Sequence, residues 1–257
     1  MFLLTQPDSK RTRRLGSAAP RRLVICGLGN WTHPLTRHSI GQLLLKNLAL
    51  RAASSPHSSG SATLLATKTG RHTSWTTRIT LAPPERPALE LLFVLPKALM
   101  NISGPTAIAA MDGFLPPLAA PSPPSAPRPA AASDEVPPAK SDSVKLQLPL
   151  KPMRRLLTLQ DDLDLPPLTL KPQRGGGPRG HNGVRSISSA LSGSRDFHRL
   201  RIGIGRPEER SKVADYVLSA LGREEVRACE WDEDKRKGGE VLERAWEEVL
   251  RIGYEEE

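Results

Sequence analysis

Four segments of this chain place polar side chains that can move protons or hold carbonyl oxygens directly after a short apolar run. Asn30 follows the run 22–29 and shares a loop with His38, Asn101 follows 89–95, and Asp161 ends 156–159. His181-Asn182 closes a loop that contains three consecutive glycines, 175–177. An imidazole, a carboxylate and several amides suit hydrolysis by an activated water. The carboxylate orients and stabilises the imidazole, the imidazole deprotonates the water, and the amides hold the carbonyl and the developing oxyanion. There is no GxSxG elbow and no reactive-cysteine setting, which disfavours a covalent nucleophile. His38, His181 and Asp161 could supply metal ligands, but no HxxxH or CxxC spacing supports that reading. Taken singly, each residue has a plainer explanation: a lone histidine early in a helix is more often a surface residue, and acids in a Gly/Pro-rich loop are usually solvated. Their density within residues 156–183 tips the balance toward a site.

The elements that must position these groups read as strands that run into loops and then helices. Residues 156–159 have the length and branching of a buried strand. Residues 22–30 form another, ending in Gly27-x-Gly29, but no third glycine follows at dinucleotide-fingerprint spacing. Thr36 is a candidate N-cap for a helix carrying Leu43, Leu44, Leu45, Leu48 and Leu50. His38 would then lie in the first turn, where the helix dipole favours the neutral base. Residues 62–69, 73–81 and 89–95 read as extended, and a helix follows through Ala107 and Met111. After the glycine loop, Val184, Ile187 and Leu191 have helical spacing. In 197–205 the apolar Leu200, Ile202 and Ile204 alternate with Arg199 and Arg201, which places the arginines on the solvent side. Residues 213–221 read as a short amphipathic helix, and 223–257 as charged and mostly helical, interrupted at Gly238-Gly239. Polar residues at the carboxyl ends of strands are where open α/β sheets build their sites.

At 257 residues the chain can form one large domain or two small ones. Its 25 prolines, 4% aromatic content and mean hydropathy of -0.37 point to unstructured stretches. A formal charge of +10 and a pI of about 10.1 suit a polyanionic partner such as nucleic acid or an anionic membrane surface. Two cysteines, Cys26 and Cys229, are too few for a disulfide framework. No apolar run approaches the roughly 18 residues of a membrane span. Residues 1–20 carry Lys10, Arg11, Arg13 and Arg14 against one acid, Asp8. That composition fits an organellar transit peptide and a disordered basic extension equally well. Residues 116–151 are rich in Pro, Ala and Ser and read as a disordered insertion.

The motifs GLGN, TRHSIG, LPKALMNISG, LQDDLDLPP, GGGPRGHNG and FHRLRIGIGRP, in this order, resemble the bacterial-type peptidyl-tRNA hydrolase family. The resemblance covers residues 23–221 apart from the insertion. It implies a single α/β domain with a mixed, mostly parallel central sheet flanked by helices, spanning 21–222, with 223–257 as a charged helical extension. It implies cleavage of the ester between a peptide and the tRNA 3′ end, without metal or cofactor. By the same resemblance His38 is the general base and Asp161 its partner. Asn30, Asn101 and Asn182 bind substrate and water, Met100 walls the peptide channel, and Lys171 and Arg201 grip tRNA phosphates. Three departures stand out: Trp31, Thr32, His33 and Pro34 replace the family's NPG and aromatic in a loop about two residues shorter, Ser39 replaces an Asn, and Gln160 replaces a His. The expectation is a monomeric enzyme acting on peptidyl-tRNA, not bound to membranes, and mitochondrial, or otherwise cytoplasmic. The alternative is a non-catalytic RNA-binding relative of the same fold.

Overall fold

The computed structural model describes residues 19–115 and 155–255; most of the basic leader and the whole Pro-rich segment 116–151 lie outside the described residues. Strand β1 (Arg21–Gly27) leads through a 3-10 turn, Arg37–Ser39, into α1 (Ile40–Ala53). Strands β2 (Ser58–Gly60), β3 (Leu65–Thr69), β4 (His72–Leu81) and β5 (Leu89–Pro96) follow, then α2 (Ser103–Met111). Beyond the insertion come β6 (Leu156–Asp162), β7 (Leu170–Arg174), α3 (Asn182–Ala190) and β8 (His198–Gly203). The chain continues through α4 (Val213–Leu218), α5 (Arg223–Cys229), a small hairpin of β9 (Trp231–Asp232) and β10 (Lys237–Gly238), and α6 (Glu240–Tyr254).

One eight-stranded sheet has the order β2-β4-β5-β1-β6-β8-β7, with β3 on β4. Its centre, β5-β1-β6-β8, is parallel, and antiparallel strands flank it on both sides. Side chains alternate across a strand, so β1 feeds two cores. Leu23 and Ile25 pack with α1 and α6 residues such as Leu44, Leu48, Val241 and Val249. Val24 and Cys26 pack with α2 and α3 residues such as Ala107, Val184 and Ile187. Helices on both faces explain why β6 is buried along its whole length, as buried parallel strands are.

The expected fold is therefore the observed one, with three local corrections. Thr36 does not cap α1: its Oγ1 donates to His33 O (2.9 Å), with Ser39 Oγ 3.2 Å away, and the helix begins after the 3-10 turn that holds His38. The arginines of β8 do not face solvent: every residue in β8 is buried, with Arg199 donating to Gln160 and to the glycine loop and Arg201 to Asp162. Finally, α6 is no appendage. Val241, Leu242, Ala245, Trp246, Val249 and Ile252 recur at helical spacing and join the core around α1.

Candidate active site

The parallel strands all end on one side of the sheet, and the expected site residues gather there. His38 comes from the turn after β1 and Asn101 from the turn after β5. Asp161 is the penultimate residue of β6, and His181 and Asn182 open α3. Together with Asn30 and Met100 they line a cleft of about 790 Å³. Close backbone approach makes this convergence possible. Gly41, on α1, lies so near β6 that a Cβ there would press against the Leu159 carbonyl and stand 2.8 Å from Leu28 O.

Asp161 is the hub. It is 4% exposed and accepts from His38 Nδ1 at 2.8 Å to Oδ1 and 3.0 Å to Oδ2. On its other side Oδ1 accepts from His181 Nε2 at 3.0 Å. His181 Nδ1 accepts in turn from the backbone N–H groups of Gly183 (3.1 Å) and Val184 (3.3 Å). These bonds assign the donors: His181 carries a proton on Nε2 and His38 one on Nδ1, so His38 Nε2 takes no part in the bond to Asp161. Burial opposes ionisation of Asp161, but attraction to and hydrogen bonds from His181 and then His38 outweigh it and hold the carboxyl well below the usual carboxylate range. The ligand atoms of His38, Asp161 and His181 lie within 4.8 Å of one another, close enough to hold a metal. Each is already satisfied by a hydrogen bond within the trio or to α3, the pattern of an oriented imidazole.

The role of His181 as a second donor to Asp161 could not be inferred from spacing. Its signal was its place in the GHNG motif, beside Asn182. Asn30 Oδ1 accepts from Met100 N–H at 2.8 Å, which ties the loop after β1 to the loop after β5 and turns the Asn30 NH2 group away from that bond. Asn101 and Asn182 are exposed in the cleft wall, with Asn182 Oδ1 accepting from Arg185 at 3.2 Å. Met100 is almost wholly buried in the core beside α2 and α3 and reaches the cleft from below.

The three departures are accommodated locally. Ser39 Oγ accepts from Asn30 N–H (3.1 Å) and donates to His33 O (2.8 Å), so the small side chain closes the shortened loop on itself. Leu35, in the same loop, adopts the left-handed region at φ 60°. Gln160 accepts from Arg199 Nε at 2.9 Å. Arg199 also donates to Gly177 O at 2.9 Å, so the glycine loop rests on a buried guanidinium. Gly175 and Gly176, at φ 66° and 84°, supply the backbone that this turn requires.

The two basic residues divide. Lys171 is exposed on β7, in register with Arg201. Arg201 is 4% exposed and donates through Nε to Asp162 at 2.6 Å, so its charge is matched inside the protein. Both cysteines are buried and their thiols are pushed up to about 12, by desolvation in each case, so neither is a nucleophile.

Over residues 142–250 the chain matches the family model described as peptidyl-tRNA hydrolase. It is 32% identical over 232 residues to the peptidyl-tRNA hydrolase of Teredinibacter turnerae, an alignment covering 89% of this chain and 94% of that one. The chain belongs to the peptidyl-tRNA hydrolase family. The family's member from Kineococcus radiotolerans is 31% identical, over 79% of this chain and 81% of its own. Among solved structures, the peptidyl-tRNA hydrolase of Acinetobacter baumannii shares the fold with a TM-score of 0.52 at 22% identity, covering 93% of this chain and 97% of that one.

Proposed function

We propose that this chain is a peptidyl-tRNA hydrolase that cleaves the ester between a peptide, or an N-blocked amino acid, and the tRNA 3′ end. The observation that carries this reading is the His38–Asp161 bond at 2.8 Å within an amide-lined cleft. His38 Nε2 takes a proton from water as the oxygen attacks the ester carbonyl carbon. The carbonyl oxygen becomes an oxyanion, which the side-chain N–H groups of Asn30, Asn101 and Asn182 are suited to hold. The tetrahedral intermediate collapses by breaking the bond to the ribose oxygen. That oxygen receives the proton from the His38 imidazolium, so the products are a free peptide acid and tRNA. Asp161, kept anionic by its two donors, stabilises the imidazolium without accepting its proton.

Release of tRNA from an N-blocked aminoacyl-tRNA, compared between wild type and His38→Ala, tests the mechanism. A general base contributes about 10²- to 10⁴-fold, so a loss of that size with tRNA binding retained is expected. Equal rates would remove His38 from the mechanism, and binding without any cleavage by the wild type would make the protein an RNA-binding relative. The reaction as written draws on no metal, so turnover should persist in a chelator.

We also propose that the protein acts as a monomer and, from the basic composition of residues 1–20, that it is delivered to mitochondria. Sedimentation of the full chain tests the first. Imaging a fluorescent fusion with and without residues 1–20 tests the second.

A further inference from the structure

A second cavity, of about 500 Å³, adjoins the active-site cleft, and the exposed Leu99 lines both. It is built from the shortened loop after β1, the β3–β4 turn and the loop after β5. Trp31, one of the departures from the family pattern, forms its wall. The Trp31 ring stacks on Trp75 with centroids 5.6 Å apart and planes 16° from parallel. Lys97 Nζ lies 5.6 Å from the Trp31 centroid, and the exposed Arg71 lines the same cavity. No carboxylate lines it among the described residues. Trp31 N–H donates to Ala98 O, Asn30 beside it is bonded to Met100, and Asn30 N–H donates to Ser39 next to His38, so the platform is tied to both loops of the site.

Resting on the proposed function, we infer that this cavity holds an unpaired nucleotide of the substrate tRNA's 3′ end. The base would stack on Trp31, and Lys97 and Arg71 would meet the adjoining phosphates. Aromatic platforms combined with cations that follow the backbone are how single-stranded nucleic acids are bound without sequence readout. Lys97 is exposed, so it can leave the ring face for a phosphate while a base takes its place. The variable part of the substrate, the peptide, has no constant negative charge for these cations to meet, whereas the RNA end presents one phosphate per nucleotide. Because the nucleotides nearest the ester are unpaired and joined to it, a platform one residue from Asn30 is within their reach.

The test uses the full-length protein and an RNA hairpin ending in unpaired CCA, compared with the same hairpin lacking those three nucleotides. Binding is read by fluorescence polarisation for wild type, Trp31→Leu, Trp31→Phe and Lys97→Gln, each checked for an unchanged melting temperature. Removing one base–aromatic stack corresponds to roughly 5- to 150-fold in affinity. Trp31→Leu should therefore lose the wild type's preference for the CCA hairpin by a factor in that range, while Trp31→Phe keeps most of it. Lys97→Gln, an exposed change, should weaken binding of the CCA hairpin more than of the blunt one. Wild-type preference in Trp31→Leu and Lys97→Gln would overturn the assignment. So would unchanged hairpin binding in Trp31→Leu together with a KM that changes only with peptide length, which would make the cavity a peptide site. Turnover is measured separately: Trp31-dependent hairpin preference without hydrolysis would uphold this inference while sinking the proposed activity.

Discussion

Asp161 is a buried carboxylate with an imidazole N–H on either side, and its charge gives the pair its geometry. Its carboxyl is held below the usual range, so the sign of its effect on stability follows. Such a group contributes stability above the unfolded carboxylate value, about 3.9, and loses it as pH falls toward the folded value. Urea unfolding of the wild type should therefore weaken progressively below about pH 4, and Asp161→Asn should flatten that acid limb. If the two limbs are parallel, Asp161 is not the ionised hub. Arg201 makes a different case. Its partner Asp162 is 8% exposed, and removing one member of a buried pair strands the other. Arg201→Ala should destabilise the fold by about 3–5 kcal/mol, seen as a lower urea midpoint. A midpoint unchanged from wild type would return Arg201 to the surface role that its motif suggested.

Among the elements, α1 and α6 decide where the turn carrying His38 sits. α1 begins after the 3-10 turn that holds His38, and Gly41 lets it rest backbone-to-backbone on β6, the strand that carries Asp161 near its end. An added methyl meets main-chain atoms, which no rotamer change relieves. Gly41→Ala should cost about 1–3 kcal/mol and also lower turnover, because the turn carrying His38 moves with the helix. Full turnover in the variant would mean that the turn is held independently of α1. α6 covers the other side of α1, with Trp246 buried and Arg51 of α1 placed over the Trp246 and Trp231 rings at 5.3 and 5.2 Å. Arg51 also donates to Glu243 at 3.1 Å. Trp246→Ala should lower stability by about 3–5 kcal/mol in denaturant titration, whereas removal of a true appendage would leave the midpoint where it is.

For the whole molecule, the formal charge of +10 matters because the proposed ligand is a polyanion. Binding of tRNA should weaken steeply with salt, each neutralised phosphate contributing on the order of 0.7 to 0.9 to the slope of log K against log salt. Lys171 is exposed and Arg201 is matched by Asp162, so Lys171→Ala should reduce that slope by about one such increment. In well-folded protein, a less disruptive change at Arg201 such as Arg201→Lys should leave the slope nearly unaltered. Equal reductions for both would show that the Asp162 pair opens when tRNA binds.

Much of this was legible from the amino-acid string because local rules were enough. The apolar runs 22–29, 89–95 and 156–159 are short and branched, as buried parallel strands must be, and each is followed by a polar group at its carboxyl end. Asn30 with His38, Asn101 and Asp161 could therefore be assigned to one edge of one sheet, and the ordered motifs supplied Asn182 and the family. Tertiary structure alone decided what depends on the far side of an element. Alternation in 199–204 shows that two faces exist, not that both are covered: Arg199 is buried against Gln160 and the glycine loop, and Arg201 between Asp162 and Gln173. The apolar positions of α6 were present at helical spacing within a charged segment, but only its docking on α1 makes them core. The second imidazole on Asp161 and the Trp31–Trp75 stack each join residues more than 19 positions apart, across loops whose conformation is set by packing rather than by local preference.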